Sequence, residues 1–143
     1  MKPSHLLWIA IVPVVAGCTP AITAKAQEPP PFAKAKVENL AKQLLAKEFT
    51  PGREVLVDLV TVPPNTKLER HWHPGEEFHY YLEGEPEVTL NGKTTIGKEG
   101  TVGHIPYKAE HVLSANANGA RVLVFRIHTE GEPLRHLVPE TKR

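Results

Sequence analysis

The sequence has few cysteine, methionine and aromatic residues and no excess of either charge. Its 143 residues include one cysteine, so no disulfide bond can form within the chain. Lysine and arginine number 17 against 16 aspartate and glutamate, and they are scattered, which argues against a nucleic-acid surface. The apolar run Leu6–Ala16 has eleven residues and is too short to span a bilayer as a helix. With 41% hydrophobic and 23% charged residues, the chain is expected to form one packed domain.

The N-terminus has the pattern of an export signal. A short basic start precedes Leu6–Ala16, and the small residues Val15–Gly17 then lead into Cys18, which resembles a bacterial lipobox. This predicts a lipoprotein signal peptide over 1–17, acylation of Cys18, and a periplasmic lipoprotein held at the membrane through its lipid anchor only. The alternative is ordinary signal cleavage after Ala26, which would release a soluble periplasmic protein.

An Ala/Pro-rich tether is expected over 18–32, followed by the folded domain over 33–143, with its core over 54–128. Two structures are compatible with 33–49. An apolar stripe at helical spacing favours a helix, whereas the same residues could form an extended segment paired to a sheet edge or to a neighbouring subunit. The stripe consists of Val37, Leu40, Ala41 and Leu44, and Leu45 could extend it.

The rest of the domain reads as short strands separated by turn residues. Asn91-Gly92 is the strongest hairpin signal in the chain. No helical crossover separates the strands, so an all-β antiparallel sandwich or barrel is expected. The predicted strands are Glu54–Val62, Thr66–His73, Glu77–Leu82, Glu85–Leu90, Lys93–Ile96, Thr101–Ile105, Glu110–Ala115 and Ala120–His128.

One segment, Arg70–Gly84, concentrates residues that can bind a metal. His71 and His73 share one face of a strand because side chains two residues apart point the same way. If the Pro74-Gly75 turn pairs this strand with the next, Glu77 converges on both imidazoles. Neutral imidazole and carboxylate together suit a divalent transition metal.

A third imidazole would hold such an ion more firmly. Strand environment favours His111, which is flanked by Val112 and Leu113, but spacing alone does not single it out. The candidates are His79, His104, His111, His128 and His136.

The segment resembles the first motif of the cupin superfamily, with His71, His73, Glu77 and Gly84 at the motif's spacing. The series Gly100–Pro106–His111 resembles the second motif, and the likeness to small single-domain cupins extends over about 54–128. The resemblance implies an antiparallel double-stranded β-helix, or jelly-roll barrel. It also implies that four residues ligate the metal, namely His71, His73, Glu77 and His111.

Three positions depart from the two motifs. Asn65 stands where the first motif opens with glycine, and asparagine tolerates a left-handed backbone. Lys108 replaces the later glycine of the second motif and Ala115 its closing asparagine. None of them is a ligand position, so they affect loop geometry more than metal binding.

Strand parity also predicts the surroundings of the site. His79 shares the face of Glu77, so it could be a catalytic acid/base residue or an inward side chain that is simply hydrogen-bonded. Tyr81 should point inward and Trp72 outward, while Glu76 should be solvated. Asp58 lies in an otherwise apolar strand, either buried with a partner or at an edge.

Two kinds of function follow from the resemblance. The first is metal-dependent, oxygenase-type chemistry on a small organic molecule, as in the quercetinase-like cupins, in which Fe, Mn, Ni, Cu or Zn could activate dioxygen or polarise a carbonyl or enolate oxygen. The second is non-catalytic binding or sensing of a metal or small molecule. A homodimer is expected because Glu54–Val62 and Ala120–His128 are apolar on both faces.

Overall fold

The structure is a computed structural model and describes residues 35–139. The predicted signal peptide, Cys18 and the tether over 18–32 lie outside the described residues. No helix long and apolar enough to cross a membrane occurs between residues 35 and 139.

Within residues 35–139, ten strands form two antiparallel sheets, which confirms the predicted all-β antiparallel class. The first sheet has the order β1-β2-β9-β4-β7 and the second the order β10-β3-β8-β5-β6. The strands are β1 Lys36–Leu44, β2 Arg53–Val62, β3 His71–Trp72, β4 Gly75–Glu83, β5 Glu87–Leu90, β6 Lys93–Ile96, β7 Val102–Ile105, β8 His111–Ser114, β9 Ala120–Thr129 and β10 His136–Leu137.

The long strands of the first sheet alternate strictly between buried and less buried residues. In β2 and β9 every second residue is buried, so one face of the sheet turns inward. The inward residues pack against Val88 and Leu113 of the second sheet, and the hydrophobic core therefore lies between the two sheets.

The helix considered for 33–49 is wrong, and the extended alternative is right for 36–44. β1 pairs with the edge of β2, with a bulge between Asn39 and Ala41, and all nine of its residues are exposed. The strand provides partners for the free backbone groups along the β2 edge, which a helix could not do.

The Pro74-Gly75 turn does not pair the two strands that it connects. β3 belongs to the second sheet and β4 to the first, so this short turn carries the chain from one sheet to the other. A side chain at Gly75 would collide with the backbone carbonyl of Ile127, so glycine is required there. The predicted strand over 66–73 is reduced to His71–Trp72, preceded by an isolated bridge from Lys67 to Ser114.

The two substituted turn positions keep the backbone that glycine would adopt. Asn65 has a φ of 52° and Lys108 a φ of 57°, both in the left-handed region. Asparagine adopts this conformation readily. At Lys108 the left-handed conformation lets the backbone N–H donate to the His73 carbonyl at 3.2 Å. This turn therefore helps to hold the backbone of a candidate metal ligand.

Candidate metal centre

Three buried histidines of the second sheet form a compact cluster. His71 of β3 is the direct cross-strand partner of His111 of β8, and His73 follows β3 on the same face. The ring centroids lie 4.4 Å apart for His71 and His111, 4.9 Å for His71 and His73, and 5.3 Å for His73 and His111. One nitrogen of each ring lies within 4.8 Å of the others, close enough to share one ion.

Backbone carbonyls orient all three rings. The Nδ1–H of His71 donates to the carbonyl of Glu69 at 2.6 Å, that of His73 to the carbonyl of Leu134 at 2.5 Å, and that of His111 to the carbonyl of Ala109 at 3.0 Å. A carbonyl can only accept, so we assign the proton to Nδ1 in each ring. Each Nε2 therefore keeps a lone pair for a ligand, the usual arrangement of histidines that bind metals.

Burial keeps these rings neutral. It lowers the pKa of His71 to about 4 and that of His73 to about 3, with the neighbouring His111 adding to the effect at His71. Burial also lowers the pKa of His111. Unprotonated imidazole is the form that coordinates metals, so all three donors are ready near neutral pH.

Glu77 reaches the cluster from the opposite sheet. It lies in β4 and is almost fully buried, with Oε2 3.0 Å from His73 Nε2 and Oε1 3.8 Å from His111 Nε2. Its carboxylate accepts hydrogen bonds from Arg126 Nε and from His79 Nε2. Burial alone would oppose ionisation, but Arg126 and then His79 outweigh it and hold the pKa of Glu77 well below its usual range.

The geometry around His73 fits a cation. Its Nε2 is buried without a hydrogen-bond partner, yet a carboxylate oxygen of Glu77 lies 3.0 Å away. With the ring proton on Nδ1, two lone pairs face each other, and a positive ion between them would turn this repulsion into attraction. Three neutral imidazoles and one ionised carboxylate are a donor set that suits divalent transition metals.

The sequence-predicted residues thus separate into those at the cluster and those away from it. Of the five candidates for the third imidazole, His111 joins His71 and His73. His104 lies at the surface, where its Nε2 is 2.5 Å from Glu76 Oε2. The ring of His136 stacks on that of Trp72, with the two centroids 4.0 Å apart. His128 is buried, and its Nδ1 lies 3.4 Å from Glu54 Oε1. The assignment of His71, His73, Glu77 and His111 as ligands stays a prediction that this geometry supports.

The neighbours predicted from strand parity also have definite places. His79 is buried behind Glu77 and bonded to it, with Nδ1 lacking a partner, and Tyr81 is buried next to it. Asp58 is buried as well, paired with Arg126. Trp72 faces away from the cluster, where the Lys108 ammonium lies 5.5 Å from its ring centroid.

Two groups that hold the candidate ligands in place were not predicted from the sequence. Arg126 had no assigned role, although its position two and four residues after the inward Val124 and Val122 already places it on the inner face. The Leu134 carbonyl that holds His73 comes from the C-terminal segment, 61 residues away in sequence. A backbone oxygen carries no residue-type signal, so nothing in the sequence indicates this contact.

Comparison with known proteins agrees with this picture. A family model described as the cupin domain matches residues 58–128. The oxalate decarboxylase OxdC of Bacillus subtilis is 32% identical over 71 residues, which cover 46% of this chain and 18% of the relative. The chain therefore corresponds to less than a fifth of that enzyme.

Solved structures show the same fold. The DMSP lyase DddQ from Ruegeria pomeroyi matches 62% of this chain and 45% of its own, with a TM-score of 0.56 and 23% identity. A predicted oxalate decarboxylase from Thermotoga maritima matches 66% of this chain and 80% of its own, with a TM-score of 0.52 and 25% identity.

Proposed function

We propose that this chain, which belongs to the cupin family, binds one divalent transition metal ion and performs metal-dependent chemistry on a small organic molecule. The proposed ligands are His71, His73 and His111, with Glu77 as the fourth. The observation that carries the proposal is the fixed orientation of the three imidazoles, whose Nδ1 atoms are held by carbonyls while their Nε2 lone pairs face one another.

The ion would supply Lewis-acid or dioxygen chemistry, and the donor set is compatible with Fe, Mn, Ni, Cu or Zn. His79 is the residue of this chain that we propose for proton transfer. Its Nε2–H donates to Glu77, and its Nδ1 is buried without a hydrogen-bond partner. Nδ1 is therefore the nitrogen of this ring that remains available to exchange a proton with a bound molecule.

Oxygenase-type chemistry on an enolic or aromatic compound is the reaction that we propose. The names of the two relatives at 32% and 25% identity point to a second candidate, the loss of carbon dioxide from a small carboxylate such as oxalate. Elemental analysis of the natively purified protein comes first. The metal-loaded protein is then tested for oxygen uptake with enolic and aromatic compounds and for carbon dioxide release from oxalate.

Each outcome separates the possibilities. Oxygen uptake supports the first reaction and carbon dioxide release the second. A stoichiometric metal without either reaction supports non-catalytic binding. A protein that neither contains a transition metal nor takes one up contradicts all three.

We also propose that a second copy covers the outer face of the first sheet. Large apolar side chains on this face are exposed to solvent in the single chain, and exposed apolar patches commonly mark interfaces. They include Tyr80, Val102 and Phe125. Sedimentation should give a dimer, and Phe125→Glu should give a monomer; a wild-type monomer contradicts the proposal.

Export rests on the N-terminal pattern alone. We propose a lipoprotein anchored through Cys18, so labelled palmitate should enter the wild-type chain and be absent from Cys18→Ser. A soluble periplasmic product beginning after Ala26 would favour ordinary cleavage, and a product retained in the cytoplasm would contradict export.

A further inference from the structure

Arg126 lies at the centre of a buried charge network next to the proposed metal ligands. It occupies the inner face of β9, between β2 and β4, and is only 5% exposed. In the sheet register it lies directly opposite Glu77 of β4. The guanidinium donates through Nε to Glu77 Oε2 and through Nη1 to Asp58 Oδ2.

The network has a definite charge. Two carboxylates share one guanidinium, so Asp58, Glu77 and Arg126 together carry a net charge of −1. A divalent cation beside Glu77 is attracted by the carboxylates and repelled by Arg126. Arg126 and the metal therefore compete for the electron density of one carboxylate, in a buried region where solvent screens little.

Asp58 fixes the guanidinium in this position. Its Oδ2 accepts from Arg126, and its Oδ1 accepts from the Asn39 amide of β1 at 2.7 Å. Arg126 is thus held on both sides and cannot swing away from Glu77 without leaving Asp58 unpaired. Uncompensated buried charges are strongly destabilising, so this arrangement is expected to persist.

We propose that Arg126 is a positioning residue that holds Glu77 as a weak, exchangeable fourth ligand to the metal. The proposal rests on the metal site proposed above. The three histidines would then carry most of the affinity, and Glu77 could release the ion to make room for an oxygen atom of a substrate. Asp58 contributes by keeping the guanidinium on Glu77.

The test measures binding of Co²⁺ alone, through dissociation constants and the visible spectrum of the bound ion. Removing the competitor in Arg126→Met should tighten Co²⁺ binding about tenfold and shift its spectrum as the Glu77 bond strengthens. Glu77→Gln should weaken binding modestly in the wild type and about tenfold more in the Arg126→Met background. Arg121→Met is the matched control, because Arg121 forms the same kind of pair with Glu83 across the same two strands at the surface.

A second variant keeps the proposal testable if Arg126→Met does not fold. Asp58→Asn keeps a side-chain oxygen that can accept from Arg126, so the guanidinium stays on Glu77, but it removes one negative charge. The positive charge of Arg126 then acts on Glu77 undivided, and Co²⁺ binding should weaken several-fold. Equal effects of Glu77→Gln in both backgrounds would overturn the proposal, as would weaker binding in Arg126→Met or unchanged binding in Asp58→Asn. In those cases the wild type still binds Co²⁺, whereas a wild type that binds none refutes the metal site itself and this role with it.

Discussion

The two ends of the barrel interior differ sharply although the same strands build both. At one end β2, β4 and β9 contribute Val60, Val62, Tyr81, Val122 and Val124 to a continuous apolar core. At the other end the same inner faces carry buried polar and charged groups, among them Glu54, Asp58, Glu77, His79, Arg126 and His128. The alternation of a strand therefore decides which side chains point inward, whereas the type of residue at each inward position decides whether it stabilises the fold or forms a site.

The energetic roles of the two ends should separate accordingly. Burial of apolar side chains is the main favourable contribution to folding, and it is concentrated at the apolar end. Buried ion pairs contribute little net stability, because desolvation offsets their attraction. Substitutions at the apolar end should therefore change folding alone, whereas those at the polar end should change metal binding, and folding as well where they leave a buried charge unpaired.

The largest effect is expected from a carboxylate placed at the apolar end. Val122 is fully buried, and Val122→Asp should lower the free energy of unfolding by more than about 4 kcal/mol, because this position offers no partner like Arg126. Asp58 is tolerated on a neighbouring strand because it has that partner. Chemical denaturation followed by circular dichroism measures the change.

The control is Thr95→Asp, which places the same charge on an exposed strand and should cost less than about 1 kcal/mol. If Val122→Asp unfolds at the same denaturant concentration as Thr95→Asp, the apolar end does not have the role assigned to it.

The second prediction concerns one imidazole of the polar end. His111→Ala should weaken metal binding by more than about 100-fold, because loss of an outer partner alone changes affinity by about 10–100-fold. A ligand at about 100 times its dissociation constant stabilises a protein by about 2.7 kcal/mol, and this gain should disappear in the variant. Thermal unfolding with and without added metal measures it.

His104→Ala is the matched control, because this histidine pairs with Glu76 at the surface. It should keep the metal-dependent rise in melting temperature. A His111→Ala protein that keeps the same rise would remove His111 from the site.

Sequence patterns predicted the fold better than they predicted how the site is held together. Apolar segments separated by turn residues predicted the strands. The motif spacing indicated His71, His73 and His111 as candidate metal ligands. The pairing at Pro74-Gly75 could not be predicted, since a short turn does not reveal whether the next strand joins the same sheet. The capture of Glu77 by Arg126 depends on the register between β4 and β9, which no local pattern encodes.

The third prediction tests the C-terminal segment, which closes the polar end. A chain that stops after Thr129 loses the Leu134 carbonyl that holds His73 and the Pro133 carbonyl that accepts from His128 at 3.2 Å. Metal affinity should fall by about 10–100-fold, the usual effect of removing an outer partner of a ligand. Isothermal titration with Co²⁺ measures it.

A chain that stops after Pro139 keeps β10 and both carbonyls, and it should bind as the full chain does. Equal affinity of the two truncated chains would show that the backbone contact to His73 does not orient the ring.

The smallest effect is expected where the polar end meets β1. Asn39→Ala removes the 2.7 Å hydrogen bond to Asp58, together with an exposed 3.1 Å hydrogen bond to the Ala41 carbonyl, but leaves the pair between Asp58 and Arg126 intact. Stability should fall by about 1 kcal/mol, the usual contribution of one hydrogen bond, and Co²⁺ affinity should stay within about threefold. Gln43→Ala is the control, since this exposed amide bonds only the carbonyl of the adjacent Leu44. A change in Co²⁺ affinity of about tenfold or more in Asn39→Ala, without one in Gln43→Ala, would show that β1 influences metal binding. The polar end would then include this edge strand.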